Sequence, residues 1–252
     1  MYKIPATTLF MGQNLVFVPE CHSTNDLALK LCQQSSGPEG TVVITLHQTK
    51  GRGQRGNTWE AAPGKNLTLS VVLKPTFLAV KDQFFLNIVS SLAVLDYLKS
   101  RTSKEVKVKW PNDVMADNRK ICGILIENQL QGSAFTNVVA GIGLNINQQQ
   151  FAVSTATSLS LITGQQYDLQ AELESLLHAL EVRYLQLREQ KFSQLREAYT
   201  GSMYWLQERR TFSSEHETFE GRLTGIDGSG KLIIDAGSSM RSFAIKEVSF
   251  VR

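Results

Sequence analysis

Four segments of the 252-residue chain concentrate the side chains able to do chemistry: Gly51–Trp59 (GRGQRGNTW), Lys109–Val114 (KWPNDV), Arg119–Glu127 (RKICGILIE) and Gly141–Asn147 (GIGLNIN). The first contains a literal G-x-G-x-x-G, Gly51 to Gly56, the spacing of a dinucleotide-binding turn. Such a turn requires a helix directly after it and an acidic residue about 20 positions on. Here Pro63 and Gly64 break any helix, and no carboxylate lies between Glu60 and Asp82. A P-loop fails as well, because no Gly-Lys-Ser/Thr follows. What is left is a glycine-loosened loop carrying Arg52 and Arg55. Two readings stand: it wraps a phosphate or carboxylate with guanidinium and backbone N–H groups, or it is a solvated surface loop.

The other three segments favour the first reading. In KWPNDV, Pro111 stops a strand and leaves Asn112 and Asp113 at its mouth. RKICGIL opens the next strand and puts Lys120 at the same end of the sheet. A lysine entering an apolar strand needs an anionic partner or an exit to water. Gly141 and Gly143 inside an apolar run point to close approach of a ligand or another backbone. Elsewhere the chemistry thins out. Cys21, Cys32 and Cys122 are odd in number and form no C-x-x-C pair, which argues against a disulfide framework or a zinc cluster. Cys21-His22 is either a thiol with a base or a small buried cysteine beside an ordinary histidine, and the second is preferred. His22, His47, His178 and His216 lack H-x-x-x-H spacing, so histidine metal ligation is not expected.

Holding such residues takes a sheet and its helices. Ser23-Thr24-Asn25-Asp26 reads as the capped start of a helix with Leu27, Ala28 and Leu31 on its apolar stripe. Thr41–Leu46 and Leu67–Leu73 read as strands, and about Gln83–Lys99 as an amphipathic helix. Val106, Val108 and Trp110 alternate with Lys107 and Lys109, the period of a half-buried strand. Ile121–Glu127 and Asn137–Ile146 continue the sheet, and 147–166 is a polar connection with at most a short helical turn. Asp168 then caps a long helix with Leu169, Leu173, Leu176, Leu177, Leu180 and Tyr184 on one face. Strands and helices do not alternate strictly, so an α+β domain with a mixed β-sheet and flanking helices is expected. After about Trp205, short strands with turns at Asp227-Gly228, Ser229-Gly230 and Ala236-Gly237 predict a small SH3-like β-barrel. The expected division is residues 1–204 and 205–252.

A net charge of +3 suits anionic small molecules but falls short of a basic stripe for nucleic acid. No leader and no run approaching about 20 apolar residues is visible, so a cytoplasmic protein without membrane contact is expected.

Taken in order, the four segments resemble the catalytic domain of biotin–protein ligases from about Ser23 to Asn147, and 205–252 resembles the C-terminal domain of that family. The resemblance implies ATP-dependent formation of biotinyl-5′-adenylate, then transfer of biotin to a lysine of a biotin carboxyl carrier domain. It makes ATP and Mg²⁺ co-substrates and biotin a substrate, with no tightly bound prosthetic group, and with the enzyme a monomer or homodimer. Ser23, Thr24, Asn25 and Gln48 match contacts to the ureido head, and Ser23 can also serve as a plain N-cap. Arg52, Gly53, Gln54, Lys120 and Gly141 complete the biotin set. Arg52, Arg55, Trp59, Asn112, Lys120 and Asn145 match the nucleotide set, with a core role as the rival for Trp59. Lys120, Arg52 and Arg55 are the catalytic candidates, and Asp113 the magnesium candidate. One departure stands out: many members carry arginine where this chain has Gln54, so Arg55 or Arg52 is expected to supply the charge that retains the adenylate. The rivals are a lipoate or octanoate ligase or transferase of the same architecture, and a biotin-responsive repressor. The segment before Ser23 is too short for the helix-turn-helix domain a repressor needs.

Overall fold

The computed structural model describes residues 2–34, 37–215 and 217–251, so His216 falls outside it, as does the side chain of Arg55. A parallel strand pair brackets a helix at the start: β1 (Leu15–Cys21), α1 (Thr24–Gln33) and β2 (Val42–Gln48). Next come β3 (Leu67–Leu73), α2 (Phe84–Lys99), β4 (Val106–Lys109), β5 (Asp113–Ala116), β6 (Arg119–Gln131) and β7 (Ala134–Leu144). Three helices follow, α3 (Leu159–Thr163), α4 (Leu169–Arg188) and α5 (Phe192–Gly201). Five short strands end the chain: β8 (Arg209–Ser214), β9 (Thr218–Ile226), β10 (Leu232–Asp235), β11 (Met240–Phe243) and β12 (Val248–Phe250).

The first seven strands form one sheet in the order β1-β2-β3-β7-β6-β5-β4. Its β1–β2 pair is parallel and every other neighbouring pair antiparallel, the mixed sheet expected. The period of 2 along each strand sorts side chains to two faces. Leu69, Val71 and Leu73 of β3 join Ile124 of β6 and Ile142 of β7 in the main core, which the leucines of α2 and α4 complete. Val43, Val72 and Val139 turn to the opposite face and pack under Ala28 of α1. Ser70, in step with Val72, therefore belongs to the α1 face. So do Gly141 beside it, Gly143, and the series Gly123, Leu125 and Glu127 on β6. These are the small and polar positions of an otherwise apolar sheet, and they collect on one face.

Helix α2 corrects an expectation. It is not amphipathic but buried nearly all round, from Phe84 and Phe85 through Val94 to Leu98. The sheet covers one side and α4 and α5 the other, and a helix enclosed in this way needs no polar face. Strand β1 and helix α5 were not read from the sequence. Pro19 interrupts β1 and is tolerated there because β1 is an edge strand. Asp168 caps α4 as expected, accepting the Ala171 N–H at 3.0 Å.

The last five strands form a second, antiparallel sheet in the order β11-β10-β9-β8-β12, around an aromatic cluster of Trp205, Phe212 and Phe250. Hydrogen bonds fasten it, and the Tyr204 that leads into it, to the first sheet and its helices. The Tyr204 N–H donates to the Val108 carbonyl at 2.8 Å, the Trp110 indole to the Gly230 carbonyl at 2.9 Å, and Arg196 to the Asp227 carbonyl at 2.6 Å. Among the described residues no helix is long and apolar enough to cross a membrane.

Candidate active site

On the α1 face the sheet carries a cleft of about 360 Å³, within the range that encloses a small-molecule ligand. Its floor is glycine. A Cβ at Gly141 would overlap the Asn25 amide, and one at Gly143 would overlap the Trp59 indole, so only glycine lets these side chains lie against the sheet.

The end of the cleft at the start of α1 is a buried network of neutral groups. The amide of Asn25 has a fixed orientation, because Nδ2 faces two acceptors, the Leu125 carbonyl at 3.3 Å and Glu127 Oε2 at 2.7 Å. Its Oδ1 takes the single proton of the Ser70 hydroxyl at 2.5 Å. The Thr24 hydroxyl lies 2.7 Å from Ser70 Oγ, and Gln48 Oε1 accepts the Thr24 N–H at 2.8 Å. Ser23 sits at the N-cap position in extended conformation, yet its side chain makes no capping bond. Its hydroxyl is therefore left for the cleft, a correction to the plain N-cap reading.

The opposite end is charged. Lys120 Nζ pairs with Asp113 Oδ1 at 2.7 Å and stands 5.6 Å over the Trp59 ring. Asp113 is the sole carboxylate among the described residues of the cleft wall. The glycine–arginine loop is a small hairpin, with Arg52 bridged to Thr58 and the Trp59 N–H donating to the Gly51 carbonyl at 3.0 Å. Its Arg52 side chain turns back to the α1 end, where Nη2 lies 2.6 Å from Asp26 Oδ1 and 2.8 Å from Glu127 Oε2. The second sheet closes the Lys120 end with Lys246, Ser249 and Phe250, and Lys109 Nζ lies 5.0 Å over the Phe250 ring. Lys246 holds a φ of 89°, a backbone region L side chains avoid, and such strain concentrates at binding sites.

Of the residues singled out from sequence, all described ones except Asn145 line the cleft. Asn145 lies buried at the end of β7, and its Nδ2 donates to the Thr157 carbonyl at 3.0 Å. Asn112 reaches the wall but spends its Nδ2 on the Ile124 carbonyl of β6. The Trp59 indole N–H is buried without a partner, an unspent donor at the cleft floor. No thiol is poised for attack: burial pushes the Cys21 and Cys122 thiols up, and His22 Nδ1 pairs with Thr49 Oγ1 at 2.7 Å. Sequence reasoning missed Ser70, although a serine inside LTLSVVL is a signal, and it missed Lys246, for which the local pattern gives none.

The model of the biotin/lipoate A/B protein ligase family matches residues 18–145, and that of the biotin protein ligase C terminal domain matches 211–251. The biotin–[acetyl-CoA-carboxylase] ligase of Mycobacterium tuberculosis is 32% identical over 89% of this chain and 84% of its own length. The bifunctional ligase/repressor BirA of Bacillus subtilis is 29% identical over 93% of this chain and 73% of its own. The structure of the Aquifex aeolicus biotin protein ligase in complex with biotin and ATP superposes with a TM-score of 0.80 at 27% identity, covering 95% of this chain and 99% of that one. With the mixed sheet, the glycine-floored cleft and the second sheet all in place, the chain belongs to the biotin/lipoate A/B protein ligase family.

Proposed function

We propose that the chain activates biotin with ATP and passes it to a lysine of a biotin carboxyl carrier domain, with both steps in the cleft on the α1 face. The neutral network carries this reading. Asn25 has both amide protons committed and Oδ1 keeps a lone pair, while Gln48 Oε1 is committed and its Nε2 has no acceptor among the described residues. With the Ser23 hydroxyl, the cleft thus offers amide donors, an acceptor and one group that is either. A ureido ring has one carbonyl and two N–H groups, the complement of that set. Leu125 and the Trp59 ring on the cleft face of the sheet suit an aliphatic chain running towards Lys120.

In the first step a biotin carboxylate oxygen bonds to the α-phosphorus of ATP, and the bond to the β-phosphate oxygen breaks to release pyrophosphate. In the second, a lysine ε-amine attacks the acyl carbon, loses a proton and expels AMP. Both anions must approach in line, so positive charge at the reacting end matters more than an acid–base pair. Lys120 stands at that end, with Lys246 across the cleft, while Arg52 reaches the cleft from the α1 end. Trp59 is read as a lining for the adenylate, and Asn145 as a support of the wall. Arg52 or Arg55 is read as retaining the adenylate in place of Gln54.

Magnesium prefers phosphate oxygens and water to a protein cage. Among the described residues no cluster of three ligating side chains exists, and Asp113 alone offers a carboxylate. Asp113 fits as the one protein ligand of an ion arriving on the triphosphate, where that ion would spread phosphate charge. The chain is read as a catalytic domain, 1–204, and a C-terminal module, 205–252, because Tyr204 bonds to β4 while Trp205 packs on Phe212 and Phe250. The acceptor is taken to be the carrier domain of a biotin-dependent carboxylase, as the names of relatives suggest. A cytoplasmic setting accords with three unpaired thiols. Exchange of labelled pyrophosphate into ATP tests the reading: biotin should support it and lipoate should not. Exchange with lipoate alone would replace it with the lipoate ligase.

A further inference from the structure

A single carboxylate oxygen joins the neutral head pocket to the arginine hairpin. Glu127 Oε2 accepts the Asn25 amide at 2.7 Å and the Arg52 guanidinium at 2.8 Å. Glu127 is not itself in the cleft wall. It follows Gly123 and Leu125 on the α1 face of β6, and its side chain is 27% exposed. Asp26 takes the same Arg52 nitrogen at 2.6 Å from the outer side of α1. Arg52 opens the hairpin that Thr58 and Trp59 close, so the place of that hairpin over the cleft is set by these two carboxylates. They differ in one respect: Asp26 holds Arg52 alone, whereas Glu127 also fixes the amide of Asn25.

We infer that Glu127 is a positioning residue that couples the neutral head pocket to the arginine hairpin. An occupant that donates an N–H to the free lone pair of Asn25 Oδ1 adds a further bond to that amide, and the amide holds Glu127 Oε2 in the place where Arg52 needs it. Filling the head pocket thereby holds the hairpin down over the cleft. The coupling rests on the biotin-activating reading of the cleft, since it takes biotin as the occupant. A glutamine at 127 keeps an oxygen for Asn25 but loses the charge that Arg52 pairs with, and its amide can turn its NH₂ towards either partner.

Trypsin supplies the test, because the hairpin presents Arg52 and Arg55 as cleavage sites. In the full-length protein, biotin is expected to slow cleavage at these two sites by about fivefold or more, the scale of a modest coupling between sites. Glu127→Gln should be cleaved faster without biotin and should lose most of the biotin protection. Asp26→Asn should also be cleaved faster, yet keep its protection. Glu127→Asp, which retains the charge, should recover part of it. Release of biotinyl-adenylate should follow the same order, fastest from Glu127→Gln. Melting temperatures of the variants within a few degrees of the parent separate this effect from unfolding. Equal biotin protection in Glu127→Gln and the parent overturns the coupling, as does a parent that exchanges pyrophosphate with biotin yet gains no protection from it. A parent that exchanges no pyrophosphate with biotin overturns the functional reading instead, while the ligand-free cleavage rates still report on the Glu127–Arg52 contact.

Discussion

At one end of the cleft Thr24, Asn25, Gln48 and Ser70 are neutral and hydrogen-bonded to one another, and Thr24, Asn25 and Ser70 are buried; at the other, Lys120 and Lys246 are charged and open to solvent. The neutral end can discriminate, because a ligand that fails to match its committed donors and acceptors leaves buried polar groups unpaired. The charged end cannot discriminate in that way, since lysines and arginines accept any polyphosphate in many geometries. It can stabilise charge that develops in a transition state, which the neutral end cannot. Recognition and catalysis are therefore divided along one cleft. The division also follows the scaffold: the neutral end rests on β3, the middle of β6, β7 and the start of α1, the charged end on the starts of β5 and β6 and on the second sheet.

Variants that break the division rank by size. Lys120→Ala removes the cation nearest Asp113 and should lower adenylate formation by about 10²–10³-fold, the scale of losing one preorganised electrostatic group. Its circular dichroism should match the parent, and normal single-turnover rates would remove Lys120 from the chemistry. Ser70→Ala strips Asn25 Oδ1 of its buried donor, so the KM for biotin should rise about tenfold and stability fall by about 1–3 kcal/mol, with the KM for ATP unmoved. Arg52→Ala and Arg55→Ala compare the two substitutes for the missing arginine at Gln54. One of them should leak free biotinyl-adenylate by roughly the 5- to 10-fold expected of a charge-assisted contact, and parental retention by both would discard the idea. Lys246→Ala should raise the KM for ATP by no more than about fivefold and flatten its salt dependence, as an exposed charge contact does.

Much of this arrangement was legible in the sequence because its motifs lie where strands meet loops. Lys120, Asn112 and Asp113 announce themselves by polarity beside proline and apolar runs, and the mixed sheet follows from strands that do not alternate with helices. The neutral network was half legible. Ser23 and Gln48 came from resemblance alone, and Ser70 passed unnoticed because a serine in a buried strand has meaning only once the register sets it beside Gly141. Helix α2 misled because periodicity reports one apolar face and is silent when two neighbours cover both. The contribution of the second sheet could not be read at all. It depends on Trp110 reaching the Gly230 carbonyl across 120 residues of chain, a contact that no local pattern encodes.

The division of labour is tested most directly by pyrophosphate exchange in Ser70→Ala and Lys120→Ala at rising biotin with ATP held saturating. Saturating biotin should restore the Ser70→Ala rate to within about threefold of the parent, because a binding defect is overcome by concentration, and should leave the Lys120→Ala rate depressed. Recovery of both variants, or failure of Ser70→Ala to recover while its fold is intact, would contradict it.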